Sequence, residues 1–173
     1  LIEARQWIAM AASLVILVGA ALMLLPSGSQ NIFETEIGER RVVALVEGSN
    51  IELNSNTQIS VTLSETERIV TLSRGEAFFD VSHDNSRPFR VITGGQVITV
   101  LGTKFSVHKR ETGVEVIVSA GKVQVDNLIE ENSSESAIVL ADSIAISENN
   151  KIIVLEQAPE AVSRELSWRT GMI

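Results

Sequence analysis

Residues 89–100 read Phe89-Arg90-Val91-Ile92-Thr93, then Gly94-Gly95, then Gln96-Val97-Ile98-Thr99-Val100. Each five-residue run is rich in β-branched side chains, and the paired glycines allow the positive φ angles that a two-residue hairpin requires. The stretch is a strand, a tight turn and a strand. The same pattern extends outward, with short runs of Val, Ile, Thr and Phe broken by turn residues every 8–12 residues or roughly so, as in an all-β domain. Glu111-Thr112-Gly113 and Asn149-Asn150 read as further hairpin tips, before residues 114–118 and 151–155. Ser119-Ala120-Gly121 interrupts an apolar run and marks a bulge or a corner.

A loose internal repeat is visible. Leu72-Ser73-Arg74-Gly75-Glu76-Ala77-Phe78-Phe79-Asp80-Val81 resembles Val118-Ser119-Ala120-Gly121-Lys122-Val123-Gln124-Val125. Gly48, Gly75 and Gly121 have no common spacing, which argues against a strict solenoid. The expected fold is all-β: an elongated antiparallel β-sandwich or solenoid-like β-roll, built from β-arches or hairpins around one apolar interior. Ala77, Phe79 and Val81 share one strand face, Phe78 and Asp80 the other, and Phe79, Phe105 and Val123 are expected in the core. After these strands, Ala158–Trp168 places Val162 and Leu166 four apart, with Pro159 near the start, so a short helical tail is expected.

The N-terminal part differs in kind. Trp7 to Leu25 is uncharged throughout, and its nineteen residues would form a helix of roughly 28 Å, close to the hydrocarbon thickness of a bilayer. Trp7 stands at one boundary, Leu17 lies within the run, and Leu25 precedes the helix-ending Pro26-Ser27-Gly28. The expectation is one transmembrane helix acting as a membrane anchor. A cleavable signal peptide and a buried core helix are the competing readings. The run is long for the first and lacks a polar stripe for the second. The positive-inside tendency favours an internal N-terminus. Because the sequence begins at Leu1, it reads as a piece of something longer.

Composition narrows the function. With 14 Lys+Arg against 22 Asp+Glu, the net charge is −8, which argues against a nucleic-acid partner, since phosphate binding needs clustered cations. The chain has no cysteine and only two histidines, His83 and His108, leaving little for nucleophilic, metal or acid–base chemistry. Ser82-His83-Asp84 cannot form a triad, because three consecutive residues do not converge; it reads as a polar hairpin tip continuing to Ser86. His108 has no partner at metal-ligand spacing, and the acidic run Asp126 to Glu135 lacks the order of a calcium loop. No catalytic, cofactor or metal site is expected, and the chain does not read as an enzyme.

One ordered series of motifs points to a family. Gly38-Glu39-Arg40 leads to Leu45-Val46-Glu47-Gly48-Ser49 and Ile51-Glu52-Leu53-Asn54-Ser55. Then come Arg68, Val70, Leu72 and Arg74-Gly75-Glu76-Ala77-Phe78-Phe79-Asp80-Val81. Arg87-Pro88-Phe89 with Val91 follows, and Leu101-Gly102-Thr103 with Phe105 and Val107 ends the series. Over residues 34–126 this resembles the FecR domain of membrane-anchored sigma-factor regulators (anti-sigma factors). The positions that carry the likeness (Gly48, Leu53, Gly75, Phe79, Pro88, Phe89, Gly102, Thr103, Phe105 and Gly121) read as architectural: glycines where strands bend or begin, and apolar residues of the core.

The resemblance implies a single-pass protein of the bacterial inner membrane, N-terminus cytoplasmic and β domain periplasmic. It implies three sets of partners: an extracytoplasmic-function sigma factor bound by an upstream domain, the signalling domain of an outer-membrane TonB-dependent transducer, and envelope proteases. The expected organisation is a cytoplasmic remnant (1–6), the transmembrane helix (7–25), a linker (26–33), the β domain (34–156) and a C-terminal segment (157–173). That last segment leads to a membrane-distal module beyond Trp168-Arg169-Thr170-Gly171. Leu140-Ala141-Asp142-Ser143 departs from the family, where a Gly-Gln turn is usual, so the last strands are expected to differ there. The rival reading is a membrane-anchored glycan- or peptidoglycan-binding module. It is disfavoured because sugar platforms use exposed aromatics and the chain has no Tyr and two Trp. A third, an envelope-anchored hydrolase, lacks any matching motif.

Overall fold

The computed structural model describes residues 30–128, 135–149 and 151–170. Strand segments with alternating buried and exposed side chains pair into two sheets, whose inner faces share one core. The first sheet runs in the order β1 (Gln30–Glu34), β4 (Gln58–Leu63), the first half of β5 (Arg68–Asp80), β6 (Phe89–Thr93), β7 (Gln96–Val100), β10 (Lys122–Asn127), β11 (Ser136–Leu140). The second runs in the order β2 (Arg41–Ala44), β3 (Asn50–Leu53), the second half of β5, β8 (Lys104–Lys109), β9 (Gly113–Ala120), β12 (Ser143–Glu148), β13 (Lys151–Glu156). Helix α1 (Pro159–Glu165) and a 3₁₀ turn (Ser167–Thr170) follow.

The long strand β5 joins the sheets as a β-arch. Its Arg68–Arg74 part pairs with β4, and Gly75–Asp80 pairs with β8 across the sandwich. The change of sheet falls at Gly75, whose φ of +82° is a left-handed conformation that disfavours any residue with a Cβ. Register then defines two ends. Gln30 opposite Thr62, Leu63 opposite Arg68, and Phe89 opposite both Arg68 and Val100 lie at the end where the chain enters the sandwich. The connections 45–49, 64–67, 81–88, 101–103 and 141–142, with the Gly121 corner, lie there too. The far end holds 35–40, 54–57, the β5 arch and the Gly94-Gly95 hairpin.

Apolar alternation fills the interior. Phe79 stacks on Phe105 with ring centroids 5.1 Å apart, and Phe89 meets Phe79 edge-on at 6.0 Å. All three are fully buried, and each contributes about 1.5–3 kcal/mol by leaving water. Phe78 points the opposite way and forms a second cluster with Ile117, Val162 and Leu166, beneath α1. A polar group of Gln96, Asn127 and Ser147, each nearly inaccessible, ties the two sheets together, with Ser147 donating to Asn127 at 3.2 Å.

The arches, the shared interior, the hairpins at Gly94-Gly95 and before Gly113, the corner at Gly121 and the helical tail follow the sequence reading. Two details differ, and the 140–143 stretch takes a definite form. The sandwich begins at Gln30 rather than 34, because β1 pairs with β4 along its whole length and Phe33 packs on the core. Ser82–Ser86 is a crossover loop rather than a hairpin tip, because β5 and β6 are parallel, so the sandwich is not wholly antiparallel. Residues 140–143 form a tight corner in which Asp142, at φ 59°, takes the left-handed position. Among the described residues no helix is long and apolar enough to cross a membrane; the expected anchor, with Trp7, Leu17 and Leu25, lies outside them.

Candidate functional site

The entry end is organised around Arg68, the first residue of β5, which is 1% exposed. Its guanidinium donates to the carbonyls of Arg87 (2.8 Å), Ser82 (3.0 Å) and Asp84 (3.4 Å), and lies over the Phe89 ring. Glu47 approaches it from the β2–β3 tip at 3.7 Å. The other Glu47 oxygen accepts from the Ser49 amide at 2.6 Å, and Ser49 Oγ accepts from the Ser82 amide at 3.0 Å. One buried cation therefore fixes two loops against each other. The crossover loop is stiffened again by Asp84, which accepts from Ser86 Oγ (2.5 Å) and pairs with Arg87 (3.0 Å). The Ser86 hydroxyl foremost, then the Arg87 guanidinium and the two loop amides, hold the Asp84 carboxyl well below the usual carboxylate range.

The stiffened loop sets His83 against the β7–β8 corner. A Cβ on Gly102 would lie 2.7 Å from both the Cα and Nδ1 of His83, so only glycine fits there. Thr103 Oγ1 donates to the Lys122 carbonyl at 2.9 Å, joining this corner to the one at Gly121. On the outer face beside these corners is an open hollow of about 620 Å³, lined by His83, Leu101, Lys122, Gln124, Ile138 and Leu140 among others. Its walls are mainly apolar, and Ile138 and Leu140 are 64% and 58% exposed.

A second arrangement covers the outer face of the second sheet. Arg169 pairs with Glu52 through two hydrogen bonds of 3.1 and 2.5 Å and lies over Phe78. Trp168 Nε1 donates to Glu76 at 2.9 Å, and Arg40 donates to the Trp168 carbonyl. Glu76 also accepts from Ser106 (3.0 Å) and Asn54 (2.8 Å). The chain therefore leaves the described region strapped to β3 and β5, beside the far-end connection that contains Arg40.

The motif residues occupy structural positions, divided between the core, the entry-end corners and the far end. Leu53, Phe79, Phe89 and Phe105 are buried in the core. Gly48, Pro88, Gly102, Thr103 and Gly121 cluster in the entry-end corners, whereas Gly75 is at the far end. His83 is not hydrogen-bonded to Ser82 or Asp84 in a relay, since Asp84 is committed to Ser86 and Arg87. Among the described residues no group of three or more His, Asp or Glu is placed to hold a metal ion. The polar residues that organise both ends (Arg68, Glu47, Glu52, Glu76 and Arg169) stand in the quoted stretches of sequence, but no role was read for them there; an arginine opening a strand gives no sign that the fold will bury it.

Two packed sheets, loops pinned by buried polar contacts and a C-terminal strap at Trp168 and Arg169 define the described β domain. The FecR protein family model matches residues 31–124, and the chain belongs to that family. Two crystal structures of a "putative anti-sigma factor" from Parabacteroides distasonis share the fold, at 26% identity and TM-scores of 0.71 and 0.70. They cover 83% and 82% of this chain, while this chain spans 66% and 65% of theirs, just under two thirds. No curated protein matches it.

Proposed function

We propose that this chain is the receiving part of a sigma-factor regulator that transmits a signal across a bacterial inner membrane by contact and performs no catalysis. The family match over residues 31–124 carries the reading, and the likeness to the Parabacteroides anti-sigma factor supports it. Residues 7–25 would anchor the protein, with the sandwich in the periplasm. A domain before the anchor would hold an extracytoplasmic-function sigma factor. A module after Thr170 would meet the signalling domain of an outer-membrane TonB-dependent transducer, and envelope proteases would then act on the regulator. The geometry suits this order: the chain enters at Gln30 on one end and leaves beside Arg40 near the other. A partner shifts such a protein only by the difference in its affinity for two states, so the relay needs a stability or an exposed edge that changes when a partner docks.

The test is binding. The protein extended at both ends should capture an extracytoplasmic-function sigma factor through its upstream part and a transducer signalling domain through its downstream part. Binding to peptidoglycan or glycan arrays with no retention of either protein would overturn the reading.

A further inference from the structure

We infer that the entry end of the sandwich rests on the lipid surface, with Val46, Leu101, Leu140 and Lys122 as its contact residues. The inference deepens the anchoring reading above and depends on it. If the apolar run ends at Leu25, five backbone steps separate it from Gln30, which can span at most about 18 Å. The headgroup layer occupies roughly 5–8 Å of that distance. The end of the sandwich that carries Gln30 is thus held within about 10–13 Å of the headgroups.

The residues displayed there suit that neighbour. Val46, at the β2–β3 tip, is 97% exposed, although a turn tip has no structural need for an apolar side chain. The tip is joined to the crossover loop where Gly48 approaches Ser82, and that loop meets the hollow through His83 and Gly102. Leu140 and Lys122 are directly opposed across β10 and β11. Arg87, Arg90 and Lys104 at this end each face a carboxylate, at 3.0, 3.8 and 2.9 Å. Lys122 has no carboxylate partner among the described residues and lines the mainly apolar hollow, an arrangement in which a lysine stem can cover apolar surface while its charge reaches phosphate. Glu65 and Asp142 share this end, so the contact draws on apolar side chains more than on net charge and is insensitive to salt. A short tether raises the local concentration of the surface to the millimolar range, so a weak contact suffices.

The chain has no cysteine, so single labels can be placed cleanly. The full chain would be reconstituted in phosphatidylethanolamine–phosphatidylglycerol vesicles as Val46→Cys, Leu140→Cys or Ile37→Cys, each carrying an environment-sensitive fluorophore. Ile37 is the control, exposed on a far-end connection. The expected result is severalfold stronger quenching by spin-labelled lipid at 46 and 140 than at 37, unchanged by salt. Equal quenching at all three positions, with the protein retained through an alkaline wash, would overturn the inference and leave the anchor standing. Protein removed by that wash would overturn both. A signal at 140 that follows protein-to-lipid ratio would make a second copy the occupant and overturn the lipid contact.

Discussion

The Arg169 guanidinium carbon lies 3.5 Å from the centroid of the Phe78 ring, and the same guanidinium forks onto Glu52. Phe78 faces away from the main core only because Ala77 and Phe79, on either side of it, face inward, so the strand's alternation creates the platform. A planar cation can both stack on a ring and bind a carboxylate bidentately; an ammonium cannot do both. Arg169→Ala in a fragment of residues 30–173 should therefore cost about 1–2 kcal/mol of unfolding free energy. Arg169→Lys should recover less than half of that. Urea denaturation of the two variants, and of Glu52→Gln for a double-mutant cycle, checks this, and additive losses would show that the pair is not coupled.

The β5 arch predicts a contrast between two glycines of equal φ. Gly75 and Gly95 both sit at +82°, so alanine at either would carry the same backbone penalty, about 1–2 kcal/mol. A Cβ at Gly95 would meet nothing within 4 Å, whereas at Gly75 it would lie 2.4 Å from Thr57 Oγ1 and 2.7 Å from the Asn56 carbonyl. Gly75→Ala should lose at least about 2 kcal/mol more than Gly95→Ala. Thermal melts of the two variants measure the difference directly, and equal melting temperatures would refute the close approach as its cause.

Arg68 and Glu47 give the largest expected effect. Removing one partner of a buried ion pair strands the other charge, which typically costs about 3–5 kcal/mol. One Glu47 oxygen is buried with no hydrogen-bond partner and has Arg68 as its nearest cation. Arg68→Met should fall in that range, and adding Glu47→Gln should restore about 1 kcal/mol or more by removing the stranded charge. The recovery is partial because three loop carbonyls lose their donor. A double variant no more stable than Arg68→Met would show that the pair itself is not what fixes the loops.

The difference between what was legible and what was not follows from range. Hairpins at Gly94-Gly95 and the corner at Gly121 are set by local backbone geometry, and Phe79, Phe89 and Phe105 by strand period, so both were legible from neighbouring residues. The parallel pairing of β5 with β6 was not: it depends on Arg68 pinning the intervening loop, and side-chain-to-carbonyl contacts 14 to 19 residues apart leave no periodic trace. The start at Gln30 was missed because Gln30-Asn31-Ile32 lacks an alternating apolar pattern and forms a strand by pairing with β4 at the sheet edge. The strap was half visible, since Val162 and Leu166 gave the helix, but its partners Glu52 and Glu76 lie more than 90 residues away.

Asp84 links the loop to pH with a definite sign. Its carboxyl is held below the ordinary carboxylate value by Ser86, Arg87 and the loop amides. Between that depressed value and the unfolded value near 4, the unfolded chain binds more protons, so stability rises with pH across this window. The contribution is complete above about pH 5 and is lost as pH falls through the folded-state value. Asp84→Asn abolishes the titration, so its urea midpoint should change less steeply with pH below about 4 than that of the unaltered fragment, while starting lower at pH 7. Because the same loop seats His83 against Gly102, the acid transition should also change the environment of His83, which proton NMR of the imidazole would follow. Parallel acid limbs for the two proteins would mean that other carboxylates govern the transition, and that Asp84 stiffens the loop without making it sensitive to acid.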